Sequence, residues 1–580
     1  MILQALEAYY RRKQADPDPR NRLPAYGLEE KEIPFIVEID NEGRLVVLAD
    51  TRSDGKKRIA QSFLVPRGLK KTSGVAANLL WDTAEYVLGV DTRGNAERVA
   101  RQHAAFRERI QGLPAQVLSD RGIQAVMLFL DDLEHERLAG LPAWPEILSS
   151  NPLMTFRLQA EEELICQRRA VVDAAVREGE PSASAICLVT GEEAPIERLH
   201  PAIKGVWGAQ TSGANIVSFN LDAFRSYHKE QGDNAPIGKP AAFAYTCALN
   251  HLLAKGSRQR VQVGDAATVF WAERPHDLET LIPDAFGEPP RDDPDRGTAA
   301  LKALHSAVES GKFSLGDPGA RFHVLGLAPN AARLSIRYWD TAPAIALATR
   351  IRRHFEGLRI ARGPRDPEHL SLFRLLTSCA AQGKADHIPP NLAGEVMRAI
   401  LAGSPYPVTL LNAAVRRCRA EQRVSYPRAS VIKACLNRAG ECRPQIQVRE
   451  KKELLPMLDI ANPSPAYRLG RLFATLEKIQ EEASPGLNAT IRDRYYAAAS
   501  GTPVAVFPTL LRLKNHHLGH LHAGRVVQME RLLGEILGGL SDFPGSLPLP
   551  EQGRFALGYY HQRQAFFTKS DATTDKETSP

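Results

Sequence analysis

Hydrophobic positions along this chain repeat at two different spacings, and the change between them outlines a fold. Ile2, Leu3, Leu6, Tyr9 and Tyr10 recur at helical spacing, so the chain should open on an amphipathic helix. Over residues 33–48 the apolar positions alternate on both sides of a turn at Asn41, Glu42 and Gly43, the pattern of a β-hairpin. Residues 95–111 return to helical spacing through Val99, Phe106 and Ile110. Mostly helical patterns follow over 117–133, 147–153 and 156–175, interrupted by Pro142 and Pro145. A helix is predicted over 241–254, a buried strand over 266–271, a surface loop over 274–297 and a second hairpin over 323–339. Beyond Ala344 the spacing is helical, with one segment that starts at Asn391 and stops at Gly403. After Met457 four apolar stripes follow, one of them Leu469, Leu472, Phe473, Leu476 and Ile479, which predicts a helical bundle.

The fold expected is therefore α+β, with a mixed α/β N-terminal region of short sheets and hairpins and an all-α C-terminal bundle. Five regions are expected: 1–110 with a basic loop, a helical insertion over 111–180, a central α/β region over 181–342, a basic helical region over 343–456, and the bundle over 457–580. Residues 570–580 have the composition of a disordered tail. At 580 residues the chain exceeds one ordinary core.

Composition narrows the function. The seven cysteines form no C-x-x-C pair, which disfavours structural zinc and a disulfide framework and suits a reducing compartment. No run approaches the ~18 apolar residues of a membrane span, so the expected location is the cytoplasm, away from membranes. A net charge of +7 is mild, but its distribution is uneven: Arg350, Arg352, Arg353, Arg359, Arg362 and Arg365 face a single Glu356. Such helices either track a polyanion or present a solvated face.

Two segments carry most of the candidate chemistry. After Pro66 the chain reads R-G-L-K-K-T-S-G-V-A-A-N, which sets Arg67, Lys70 and Lys71 beside Thr72, Ser73 and Asn78, side chains that bond phosphates or base edges. The plainer alternative is a basic turn in which Asn78 caps the next element. The segment from Cys187 to Asn220 holds Gly205, Gly208 and Gly213 among Lys204, Gln210, Thr211 and Ser212, with two strands expected to bracket an open loop. That mixture suits a sugar-phosphate backbone, and it equally suits a glycine-rich connection between strands. Arg416 and Arg417 extend the basic helices, and Arg468, Arg471, Arg492, Arg494, Arg512 and Lys514 stud the bundle, where phosphates of a single strand could lie.

No metal site is expected. His276-Asp277 lacks a second histidine, and His516, His517, His520 and His522 lack a carboxylate or cysteine companion. Neither a P-loop, a dinucleotide fingerprint nor a nucleophile elbow is present, so no cofactor or catalytic residue is expected.

The wording of the 187–220 segment resembles the large subunit of the type I-C CRISPR surveillance complex, Cascade. The likeness extends to M-I-L-Q-A-L-E-A-Y-Y, N-L-L-W-D-T-A-E-Y-V-L-G-V-D, V-L-G-L-A-P-N-A-A-R-L-S-I-R-Y-W and F-A-L-G-Y-Y-H-Q-R-Q-A-F-F. The resemblance implies a non-catalytic subunit that reads the protospacer-adjacent motif in double-stranded DNA through Lys70, Lys71, Thr72, Ser73 and Asn78. It also implies help in opening the duplex, stabilisation of the R-loop and recruitment of a helicase-nuclease. The implied partners are the guide crRNA, the target duplex and its displaced strand, and the backbone and 5′-handle-binding subunits. Residues 457–580 resemble the small subunit, which in that family can be translated from an internal start; Met457 stands at such a position. The rivals are a stand-alone metal-dependent nuclease or RNA-processing enzyme, and a scaffold that never touches DNA.

Overall fold

The N-terminal helix Ile2–Gln14 buries Leu6, Tyr9 and Tyr10, the positions its spacing marks. It opens a computed structural model that describes residues 2–54, 58–69, 74–133, 138–177, 184–225, 227–441 and 454–567. The chain falls into two compact units: Leu3–Pro201 with Val217–Ala248, and Ala202–Ile216 with the residues from Leu249 onward.

In the first unit, β1 (Leu28–Glu32) pairs antiparallel with β4 (Ser62–Pro66) as a two-stranded ribbon. A four-stranded sheet runs in the order β3 (Leu45–Asp50), β2 (Phe35–Ile39), β6 (Leu153–Leu158), β5 (Trp81–Thr83). β2 and β3 form the expected hairpin, whose turn Asp40 stabilises by accepting from Glu42 N at 3.0 Å and Arg44 N at 2.8 Å. β6 lies parallel to β2 and antiparallel to β5, where the sequence pattern pointed to helix. The reason is its central place: Met154, Thr155, Phe156 and Leu158 are all buried, so the alternation that marks a half-exposed strand is absent. One apolar cluster runs from Ile33 to Ala174, so no core boundary falls at 110/111, and 111–180 is not an all-helical insertion. The short hairpin β7 (Ser184–Ile186) and β8 (Glu193–Pro195) follows.

The second unit holds a four-stranded antiparallel sheet, β9 (Arg260–Val263), β10 (Ala266–Ala272), β11 (Arg321–Asn330) and β12 (Arg333–Pro343), in the order β12-β11-β10-β9. The stretch expected to wander over the surface contains the helix Leu278–Phe286, which buries Leu278, Ile282, Ala285 and Phe286 around an internal Pro283. Its apolar spacing is helical, but Pro and Asp mask it in composition. The apolar run after Asn215 is not a strand; Asn215 itself forms an isolated bridge to Arg333.

Helices dominate the remainder. Ala344–Leu358, Leu372–Cys379, Pro390–Ala402, Val408–Ala420 and Tyr426–Glu441 precede Pro465–Ala483, Ile491–Ala499, Pro503–Leu518, Ala523–Leu537 and Leu549–Ala565. The first and last helices of the terminal bundle touch through glycines: a Cβ on Gly470 would lie 2.0 Å from Phe555 O, and one on Gly558 2.0 Å from Tyr467 O. Elsewhere on the last helix, Gly553 meets Ile432, Leu436 and Leu411 of the preceding region. A single apolar cluster accordingly runs from Val263 to Tyr560, with no break at 456/457. Among the described residues no helix is long and apolar enough to cross a membrane.

Candidate nucleic-acid interface

The β1–β4 ribbon ends in the basic loop, and hydrogen bonds close the stem of that loop. Arg67 N donates to Gly27 O at 2.8 Å, Gly68 N to Glu29 Oε1 at 2.8 Å, and Leu69 N to Asn78 Oδ1 at 3.1 Å. Asn78 N donates to Asp82 Oδ2 at 2.8 Å, and the Trp81 indole donates to Pro66 O at 2.7 Å. Arg67 is exposed; it and Lys239 oppose the burial that raises the carboxyl pKa of Glu197. Lys70, Lys71, Thr72 and Ser73 lie outside the described residues. Asn78 is only 5% exposed, and its side-chain oxygen is occupied by the loop's own backbone. Its carboxamide oxygen acts as a clamp, close to the capping alternative.

The glycine-rich segment is clamped in the second unit. Ile203 and Ala214 exchange both backbone hydrogen bonds, at 2.8 and 2.9 Å. Asn250, near the end of the helix Lys239–Leu253, accepts from Lys204 N at 2.7 Å and donates to Ala202 O at 3.2 Å. Gly205 sits at φ +84° with its α-carbon so close to the helix that a Cβ would fall 2.6 Å from Leu253 O, so only glycine fits. Ala209 N donates to Val206 O at 3.1 Å, closing a turn with Gly208 (φ +78°) third. Lys204, Gln210, Thr211 and Ser212 are all exposed, and Trp207 at the turn is 62% exposed. Sequence reasoning passed over Trp207 and Asn250. A bulky apolar residue between two glycines, outside any apolar period, was a usable signal for the first; the second lies 46 residues from its partner in sequence, with none.

The arginines divide into two kinds. Arg350 donates to Leu401 O at 2.8 Å, Arg353 pairs with Glu441, and Arg417 with Glu421 at 3.8 Å. Arg468 donates to Asn462 O at 2.8 Å, Arg492 lies 3.7 Å from Glu477, and Lys514 lies 3.7 Å from Glu530. Arg471 is 1% exposed and bonds Gln562, Ile460 O and Glu535, so its assignment to a nucleic-acid backbone is corrected: burial removes it from any outside ligand. Arg416 and Arg494 are exposed without an ion pair among the described residues, and Arg512 is exposed with only Thr509 Oγ1 at 3.5 Å. Arg398, Arg423 and Arg531 share that exposure and lack of ion pairing, and they were missed.

Two of the candidate histidines, His276 and His522, have internal duties. His276 packs against the Phe313 ring with centroids 4.4 Å apart and accepts from Leu278 N at 3.1 Å, while Asp277 accepts from Leu315 N at 2.8 Å. His522 accepts from Gly524 N and caps the helix Ala523–Leu537. Among the described residues no group of three or more His, Cys, Asp or Glu side chains is placed to hold a metal ion.

Comparison with known families matches residues 6–567 to the model described as CRISPR-associated protein (Cas_Csd1). The chain belongs to that family. A match reaching from the first helix to the last spans both clamped loops, and it makes this Cas_Csd1 member a large subunit of Cascade. No curated protein matches the chain.

Proposed function

We propose that this protein serves a type I-C Cascade by inspecting the duplex beside the target for a short motif, helping to open it and stabilising the R-loop. Guide pairing then reads the target, and a helicase-nuclease recruited from another chain cuts, the division of labour known in other RNA-guided systems. The observation that carries this reading is the family match from residue 6 to 567. The clamped stem at Arg67–Leu69 supports it, because it holds Arg67 as an exposed cation. Arg416, Arg494 and Arg512 supply exposed cations for a strand backbone, and Lys204 with Gln210, Thr211 and Ser212 supplies donors.

Replacing Lys70 and Lys71 with alanine in the assembled complex should weaken binding to a motif-bearing duplex and reduce its salt dependence. The slope should fall by about 0.9 for each phosphate no longer neutralised. Unchanged affinity and slope would instead identify a scaffold. Metal-dependent cleavage of labelled RNA or DNA by the purified chain, stopped by a chelator, would identify the enzyme reading.

We also propose a second product beginning at Met457. Mass spectrometry of complexes expressed from the native message should find its N-terminal peptide; its absence would remove the proposal.

A further inference from the structure

The loop 204–213 has the properties of a rigid platform, and one of its exposed side chains is aromatic. Its stem is closed by the Ile203–Ala214 bridge and by Asn250, and its tip is two successive turns. The first is closed at Val206–Ala209 and the second by Gly213 N donating to Gln210 O at 2.9 Å. Trp207 projects from the first turn at 62% exposure, although a tryptophan in water sacrifices a large apolar surface. Around it the loop offers one cation, Lys204, and no Asp or Glu anywhere in 202–216. The backbone amides of Gly208, Gln210, Thr211 and Ser212 find no acceptor among the described residues.

An aromatic face set among donors, with no carboxylate in the loop itself, matches one nucleotide taken whole: a base for the ring and a phosphate for the amides and Lys204. A protein partner would match the indole equally well, but it gives no reason for a tip that sets unpaired amides and a lysine together without a carboxylate in the loop. We infer that Trp207 is a stacking site for an unpaired nucleobase, with the adjoining phosphate held by the loop's amides and Lys204. This deepens the proposed function and rests on the chain meeting a polynucleotide. The clamp fixes the loop before binding, so little ordering opposes the contact.

The test uses the full-length protein with Trp207→Ala and Trp207→Phe, and single strands of DNA and of RNA carrying 2-aminopurine, whose fluorescence falls on stacking. A matched strand of abasic sites supplies phosphates without bases. Trp207→Ala should lose roughly 5- to 150-fold in affinity for the base-bearing strand. It should also lose the quenching, while its affinity for the abasic strand stays at the wild-type value and Trp207→Phe keeps most of both. Whichever of DNA or RNA shows the larger loss identifies the strand. Equal loss on the abasic strand would overturn the inference, because the indole would then be holding the loop rather than a base. Normal binding by Trp207→Ala would overturn it too, and with failure to co-purify with the other Cascade subunits would identify a protein contact. Failure of the wild-type assembly to bind any duplex or single strand would instead sink the proposed function itself.

Discussion

The loop after Pro66 and the loop after Ile203 lie in different units, yet an asparagine carboxamide fixes the stem of each. Asn78 takes the amide of Leu69, and Asn250 takes the amide of Lys204. The stems differ in charge. Glu29 and Asp82 hold the first through backbone amides, so its base is lined with acids. The second has no acid in its whole length. In both, an asparagine side chain is spent on holding the backbone. The arginines repeat the lesson: Arg471 is buried and holds, and Arg494 stands exposed.

The largest expected effect comes from breaking the holding group. Arg471→Met removes donors from Gln562, Ile460 O and Glu535, and should cost about 3 kcal/mol in denaturant unfolding. Acid tests holding next. His354, buried and bonded to the Tyr406 hydroxyl, is lowered to about 3 by burial, then by Arg438 and His369. His561, bonded to Tyr467, is lowered to about 4 by burial and then Lys433, against the opposing pull of Asp459. Both lie below the unfolded value of about 6.5, so the unfolded chain binds more protons as pH falls. Their stabilising contribution is complete above about pH 6.5 and declines toward pH 4, by up to about 1.4 kcal/mol per group per unit. Unfolding midpoints between pH 7 and 4.5 should fall accordingly, and His354→Gln should flatten the decline.

Asn78→Ala then separates clamp from reader. It should lower stability by about 1–2 kcal/mol through the orphaned Leu69 amide and weaken every duplex alike. A changed preference among flanking motifs, measured by competition binding, would restore Asn78 as a base contact. Smallest in stability is Arg494→Ala, expected within about 0.5 kcal/mol of the parent. Its mark should be in salt dependence, a slope reduced by about 0.7 on single strands, whereas Arg353→Ala, already paired with Glu441, should leave the slope unchanged.

Much of the fold was legible because apolar spacing is local. The 33–48 hairpin, the helix Ala96–Gln111 with its Asn95 cap and the fully buried β10 all follow from neighbours in sequence. β6 was not, because a strand buried on both sides looks like any apolar run until its partners are known. The site was less legible still. Charge marks Arg471 and Arg494 alike, and only packing of the last helix against Pro465–Ala483 separates them. Exposure, which brought out Trp207, depends on distant chain that spacing does not record.

The last helix, Leu549–Ala565, lies between the terminal bundle and Ile432, Leu436 and Leu411. A ribosome starting at Met457 would release a shorter protein whose closing helix has lost that second bed. Its bare flank would be greasy and ready-made for adhesion, so such a product would be stable only in company, and its solubility would depend on how promptly a neighbour covered it.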